Sequence, residues 1–262
     1  MGIVGRSFQA RRFEIGRYLT DLSGSARGRL FALISQYRSG STLLRRLLHA
    51  HPEVRCEGEI FLRFLDARPR TVLFPTAFVR AGATGSSHPV CGSVLRIDQL
   101  EKCLHRPLHG DPGAFIGRLA DKGWTFVHLR RRNALMQALS NVVAHERKRW
   151  HRTEGDEGPQ MIRVDCDRLV EWTRWNEDIL AQEESILAPL THLTLTYEDD
   201  LLLAERHQAT ADRSFRFLGV PSHPVAAPLR RTGAGGLIER VRNYEEVIRR
   251  VRSAGLDHYL DE

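Results

Sequence analysis

The segment Ser35-Gln36-Tyr37-Arg38-Ser39-Gly40-Ser41-Thr42 packs a cation, a glycine and several hydroxyls between an apolar run and an amphipathic one. A loop of this kind ahead of a helix presents unpaired backbone N–H groups and a positive dipole end, and so binds phosphate. It is not a nucleoside triphosphate loop of the G-x-x-x-x-G-K-[ST] kind, which would need glycine at Ser35 and lysine at Ser41. The second candidate is Arg132-Asn133 followed by Ser140. An arginine fork matches the geometry of a phosphate, and a serine hydroxyl donates to one without adding charge.

These groups need a frame. Leu30 to Ile34 is a short continuous apolar run of the kind found in buried parallel strands, and it stops at the Arg38 loop. Leu43, Leu44, Leu47 and Leu48 then fall on one face of a helix, with Arg45, Arg46 and His49 turned away and His51-Pro52 closing it. Further strands are expected over Val90 to Ile97, Trp124 to Leu129 and Leu193 to Tyr197, with a short edge strand at Met161 to Val164. Helices are expected around Pro112 to Lys122, from Asn133 to about Arg149, and from Cys166 to Leu187. The stretch Pro69 to Pro89 reads as a loop or small insertion. Alternating strands and helices imply an α/β fold, a central parallel sheet with helices on both faces and ligands at the carboxyl ends of the strands. Residues 1–29 read as an N-terminal arm and residues 30–262 as a single domain.

Arg38-Ser39-Gly40-Ser41-Thr42 after a strand resembles the 5'-phosphosulfate loop of sulfotransferases, and Arg132 with Ser140 is similar to the family's 3'-phosphate motif. Leu195-Thr196-Tyr197-Glu198-Asp199 with Phe217-Leu218-Gly219-Val220 resembles the family's late strand and helix end, read as structural. Arg230-Arg231 through Gly236 resembles the basic loop that closes over the nucleotide. The pattern looks closest to bacterial nodulation-factor and trehalose sulfotransferases. The resemblance implies a P-loop-like fold and a donor, 3'-phosphoadenosine 5'-phosphosulfate. It implies that Arg38, Ser39, Gly40, Ser41, Thr42, Arg132, Ser140, Arg230 and Arg231 contact that donor, with Arg130 and Arg131 exposed beside them. The acceptor it implies is a hydroxyl of a carbohydrate or glycolipid. A base is then needed, and Glu53, Glu57 and Glu59 are the local carboxylates near the end of the first core helix. Counting from Arg38 without a gap puts Glu59 at the family's glutamate, with Glu57 as its rival, and Arg38 serves catalysis on the leaving side.

The composition fits a folded enzyme, with 42% apolar and 27% charged residues and no repeat or low-complexity block. Cys56, Cys91, Cys103 and Cys166 lack the paired spacing of zinc or redox sites and read as buried thiols, and the histidines are spread out, so no metal is indicated. The net charge of +7 favours anionic partners. Arginine clusters at Arg147 to Arg152 and Arg249 to Arg252 read as solvated helix faces. A nucleic-acid-binding module lacks any reading motif, and a P-loop small-molecule kinase lacks its lysine. The basic N-terminus has no apolar signal core and no run is long enough to span a membrane, so the cytoplasm is the expected location.

Overall fold

The computed structural model describes residues 3–24, 28–65, 71–84, 86–146, 161–226 and 241–260. In chain order the first elements are α1 (Ile3–Ser23), β1 (Arg29–Ser35), α2 (Ser41–His49), β2 (Val54–Glu59), α3 (Pro75–Arg80) and β3 (Val90–Leu95). Next come α4 (Ile97–Cys103), α5 (Arg106–His109), α6 (Pro112–Asp121) and β4 (Thr125–Arg130). The chain closes with α7 (Ala134–Glu146), α8 (Cys166–Leu187), β5 (His192–Thr196), α9 (His207–Leu218) and α10 (Tyr244–Ser253).

The strands form one parallel sheet in the order β2-β3-β1-β4-β5. Side chains alternate across it. Phe31 and Leu33 of β1 pack with Leu44, Leu47 and Leu48 of α2 and with Ala211, Phe215 and Leu218 of α9 on one face. Ala32 and Ile34 pack with Leu100 and Cys103 of α4 and Phe115, Ile116 and Leu119 of α6 on the other. A third cluster joins α7, α8 and α10 through Leu139, Leu169, Val247 and Val251. Both faces of the sheet are therefore covered, as the run of apolar residues in β1 requires.

The connections from β1 run to β2 and β3 on one side and to β4 and β5 on the other, so the order reverses at β1. Such a reversal opens a crevice at the carboxyl end of the strand. The Arg38 loop leaves β1 at that point.

Several elements differ from the sequence expectation. Residues 54–59, which follow α2, form the edge strand β2, so Glu57 and Glu59 are carried by a strand rather than by the end of the first core helix. Its alternation of Val54 and Cys56 with Arg55 and Glu57 buries one side only. The strand at Val90 ends at Leu95, and Ile97 already belongs to α4. Ile162 makes only an isolated bridge to Val241, outside the sheet. The segment read as an arm is a helix held against the domain: Arg80 grips the buried Asp21 carboxylate with Nε and Nη2 at 2.7 and 2.6 Å. Arg17 of the same helix donates to the Phe78 carbonyl at 2.6 Å and to Glu57 Oε2 at 2.9 Å.

Candidate active site

The chain turns sharply after β1. Arg38 takes a positive φ of 62° and Gly40 one of 94°, and a left-handed backbone at a non-glycine residue is uncommon. Ser39 Oγ donates to the Gln36 carbonyl at 2.9 Å, which folds the loop onto itself. Gly40 is required twice over, by its φ and because a Cβ there would stand 2.7 Å from the Tyr197 ring. The amides of Leu43 and Leu44 turn back to the Gly40 carbonyl, and no side chain caps the start of α2. The first turn of α2, with Ser41 and Thr42, therefore faces the crevice with its backbone donors.

The second motif closes on the first from α7. Arg38 Nε donates to Ser140 Oγ at 3.0 Å, which leaves the serine hydroxyl hydrogen to donate elsewhere. Gln137, one helical turn earlier, donates to the Gln36 side chain at 3.0 Å and to the Tyr37 carbonyl at 2.8 Å, fixing the loop from the same helix. Arg131 Nη1 donates to the Arg38 carbonyl at 3.0 Å, and its guanidinium stands over the Tyr197 ring. Burial holds the Arg38 guanidinium below its usual pKa, and the neighbouring Arg131 charge adds to this.

The consecutive arginines diverge. The Arg131 side chain is 10% exposed and turned inward, whereas Arg132 is 49% exposed and paired with Asp199. Arg131 was expected to be exposed; the twist at the end of β4 points it at the loop instead. Arg130 is also surface-paired, to Glu184 at 2.9 Å. Glu198 accepts from the backbone amides of Arg132 and Asn133 and so anchors the start of α7. The Tyr197-Glu198-Asp199 stretch, read from the sequence as structural, thus contributes to the crevice. Arg230 and Arg231 lie outside the described residues, as do Arg147 to Arg152 and most of the segment from Trp150 to Met161.

The carboxylates separate clearly. Glu57 is held by Arg17 and Arg55, tying β2 to α1. Glu59 faces the loop: Gln99 Nε2 donates to Glu59 Oε2 at 2.6 Å and to the Tyr37 hydroxyl at 3.1 Å. One amide therefore links the carboxylate to the residue before Arg38. Arg96, 1% exposed, completes this group with Nε 3.8 Å from Glu59 and 3.2 Å from Asp98, its guanidinium lying on the Tyr37 ring. Its Nη1 and Nη2 are buried without a hydrogen-bond partner among the described residues. Neither Arg96 nor Gln99 carries a motif. The available signal is position, since Arg96 directly follows an apolar strand at the ligand-binding end of the sheet.

Deeper in the same end lies Glu183 of α8, whose Oε2 meets His128 Nε2 at 3.2 Å. Burial raises its carboxyl pKa, against smaller opposing effects of His128, Arg96 and Gln36. The thiols take no part: Cys56, Cys91 and Cys103 are buried, Cys166 is half-buried, and burial pushes Cys56 up to about 12.

Residues 31–105 match the sulfotransferase family. The match runs from β1 to just past α4 and includes the Arg38 loop, Glu59, Arg96 and Gln99. A comparison with curated proteins gives no match.

The raised Glu183 pKa makes a stability prediction. A carboxyl held above its unfolded value is neutral in the folded state over a wider range, so its stabilising effect is complete below the ordinary carboxylate range. That effect is lost as pH rises through the folded value. Glu183→Gln removes the charge and should be more stable than the parent at neutral pH. Denaturant midpoints should show the difference shrinking on acidification through the carboxylate range. A difference that is the same at every pH contradicts the assignment.

Proposed function

We propose that this sulfotransferase-family chain transfers a sulfuryl group from 3'-phosphoadenosine 5'-phosphosulfate to a hydroxyl of a carbohydrate or glycolipid, with Glu59 as the general base. The observation that carries the reading is the single Gln99 amide between Glu59 and Tyr37, which sets a carboxylate beside the phosphate-type loop at the crevice of β1.

The donor set fits an adenosine bisphosphate. Arg38, the backbone amides of Ser39 to Thr42 and the Thr42 hydroxyl hold the 5' side. Ser140, already accepting from Arg38, donates its own hydrogen to the 3'-phosphate, and Arg132 reaches the same group. Leaving Asp199 costs Arg132 little, because exposed ion pairs are worth about 0–1 kcal/mol. Arg230 and Arg231 are assigned to the nucleotide by the sequence pattern alone.

In the reaction Glu59 accepts the proton of the acceptor hydroxyl as its oxygen forms a bond to sulfur. The bond from sulfur to the bridging 5'-phosphate oxygen breaks, and that oxygen keeps the electron pair as adenosine 3',5'-bisphosphate leaves. Arg38 and the loop donors stabilise the charge that gathers there, so most of the rate comes from positioning and fixed dipoles. Gln99 and Arg96 hold the Glu59 carboxylate toward the loop.

Adenosine 3',5'-bisphosphate should raise the melting temperature well above the effect of adenosine 5'-monophosphate, by linkage of binding to folding. Arg132→Ala should weaken the bisphosphate about tenfold and Ser140→Ala less. Equal shifts by both nucleotides would remove the 3'-phosphate assignment. Stabilisation by ATP with magnesium in place of the bisphosphate would favour a small-molecule kinase.

Glu59→Gln keeps size and most hydrogen bonding but cannot take a proton, so kcat should fall at least about 100-fold while bisphosphate affinity stays level. Glu57→Gln, at a residue already engaged by arginines, should change turnover little. Normal turnover in Glu59→Gln refutes the base.

A further inference from the structure

Helix α1 leaves four of its large apolar residues on the solvent side. Phe8, Ile15, Leu19 and Leu22 recur on one helical face and are 63%, 56%, 58% and 63% exposed. The face turned to the domain packs Ala10 and Phe13 on the core but also carries charge, with Glu14 and Asp21 buried and Arg17 in contact with Phe78 and Glu57. A surface helix ordinarily buries its large apolar residues and solvates its carboxylates. Here ion pairs and hydrogen bonds grip the domain beside Ala10 and Phe13, and a second apolar stripe is left outward.

The stripe extends beyond the helix. Tyr18 stacks on Phe74 with ring centroids 4.5 Å apart, and Leu73 and Phe74 are themselves about half exposed. The charge along it has one sign. Arg12 stands over the Phe8 ring at one edge and Arg11, at the opposite edge, is paired with Glu14, while both acidic side chains of α1 are on the buried face. No helix among the described residues is long and apolar enough to cross a membrane.

We propose that α1 is an interfacial docking helix that lays this stripe into the surface of a bilayer containing anionic lipid, with Arg12 on the lipid phosphates. An apolar face flanked by guanidiniums matches the boundary between acyl chains and anionic headgroups. A second copy of the chain fits less well, because its own α1 stripe would bring more arginine and no carboxylate to the seam. The proposal does not rest on the identity of the donor or acceptor. It adds a location for the reaction, at a lipid surface.

The test is co-sedimentation of the full chain with phosphatidylglycerol–phosphatidylcholine vesicles and with pure phosphatidylcholine vesicles. The parent should partition onto the anionic vesicles more strongly than onto the neutral ones, and added salt should weaken it. The double variant Ile15→Ser with Leu19→Ser should partition at least about tenfold more weakly, from the lost apolar burial. Both sites are exposed, so its melting temperature should equal the parent's. Arg12→Ala should cost about fivefold on anionic vesicles and little on neutral ones. Absence of parent binding to anionic vesicles, or equal binding by the double variant, overturns the proposal. A dimer in sedimentation velocity that the double variant dissociates, without vesicle binding, assigns the stripe to a second copy instead.

Discussion

Arg38 Nε donates to Ser140 Oγ at 3.0 Å, and this bond joins the two sides of the crevice where the sheet order reverses. The residues are 102 apart in sequence, so the loop after β1 keeps its shape only if α7 is docked. Gln137 strengthens the dependence by holding Gln36 and Tyr37 from the same helix. Tyr197 completes it from just past β5, filling the space that any side chain at position 40 would need. The left-handed turn at Arg38, a strained conformation for a residue with a Cβ, persists because neighbours from other elements hold it.

The same arrangement concentrates charge. Arg38 and Arg131 are drawn together, where burial and then the Arg131 charge disfavour the charge on Arg38. In the proposed reading, an anion entering between them relieves that repulsion, which would favour phosphate or sulfate in the crevice. Glu59 sits across from this positive region without collapsing onto it, because Gln99 and Arg96 hold its carboxylate from the β3 side. The proposed in-line transfer between oxygens would use these cations on its leaving side and the carboxylate on its incoming side.

Much of this was legible in the sequence, for definite reasons. The strands β1, β3 and β4 are apolar runs with clear stops, β5 alternates leucine and threonine, and the loop from Arg38 to Thr42 carries its chemistry in consecutive residues. β2 was missed because half of it is charged, as an edge strand allows. Arg131 and Arg132 could not be told apart, since three adjacent arginines carry no sign of how a strand end twists. Arg96 and Gln99 act through tertiary position alone. The first residues were read as an arm because Gly24, Gly28 and several serines surround a short amphipathic stretch, and a sequence carries no sign of the ion pairs that dock α1.

The central claim is sulfuryl transfer from this crevice, and transfer of labelled sulfur tests it most directly. The full chain would be given donor carrying radiolabelled sulfur with a panel of glycans and glycolipids, beside an Arg38→Ala variant of matched stability. The account predicts label in at least one hydroxylated acceptor and its loss in the variant. Absence of label from every acceptor, with phosphate transferred from ATP and magnesium to the same panel, would contradict it.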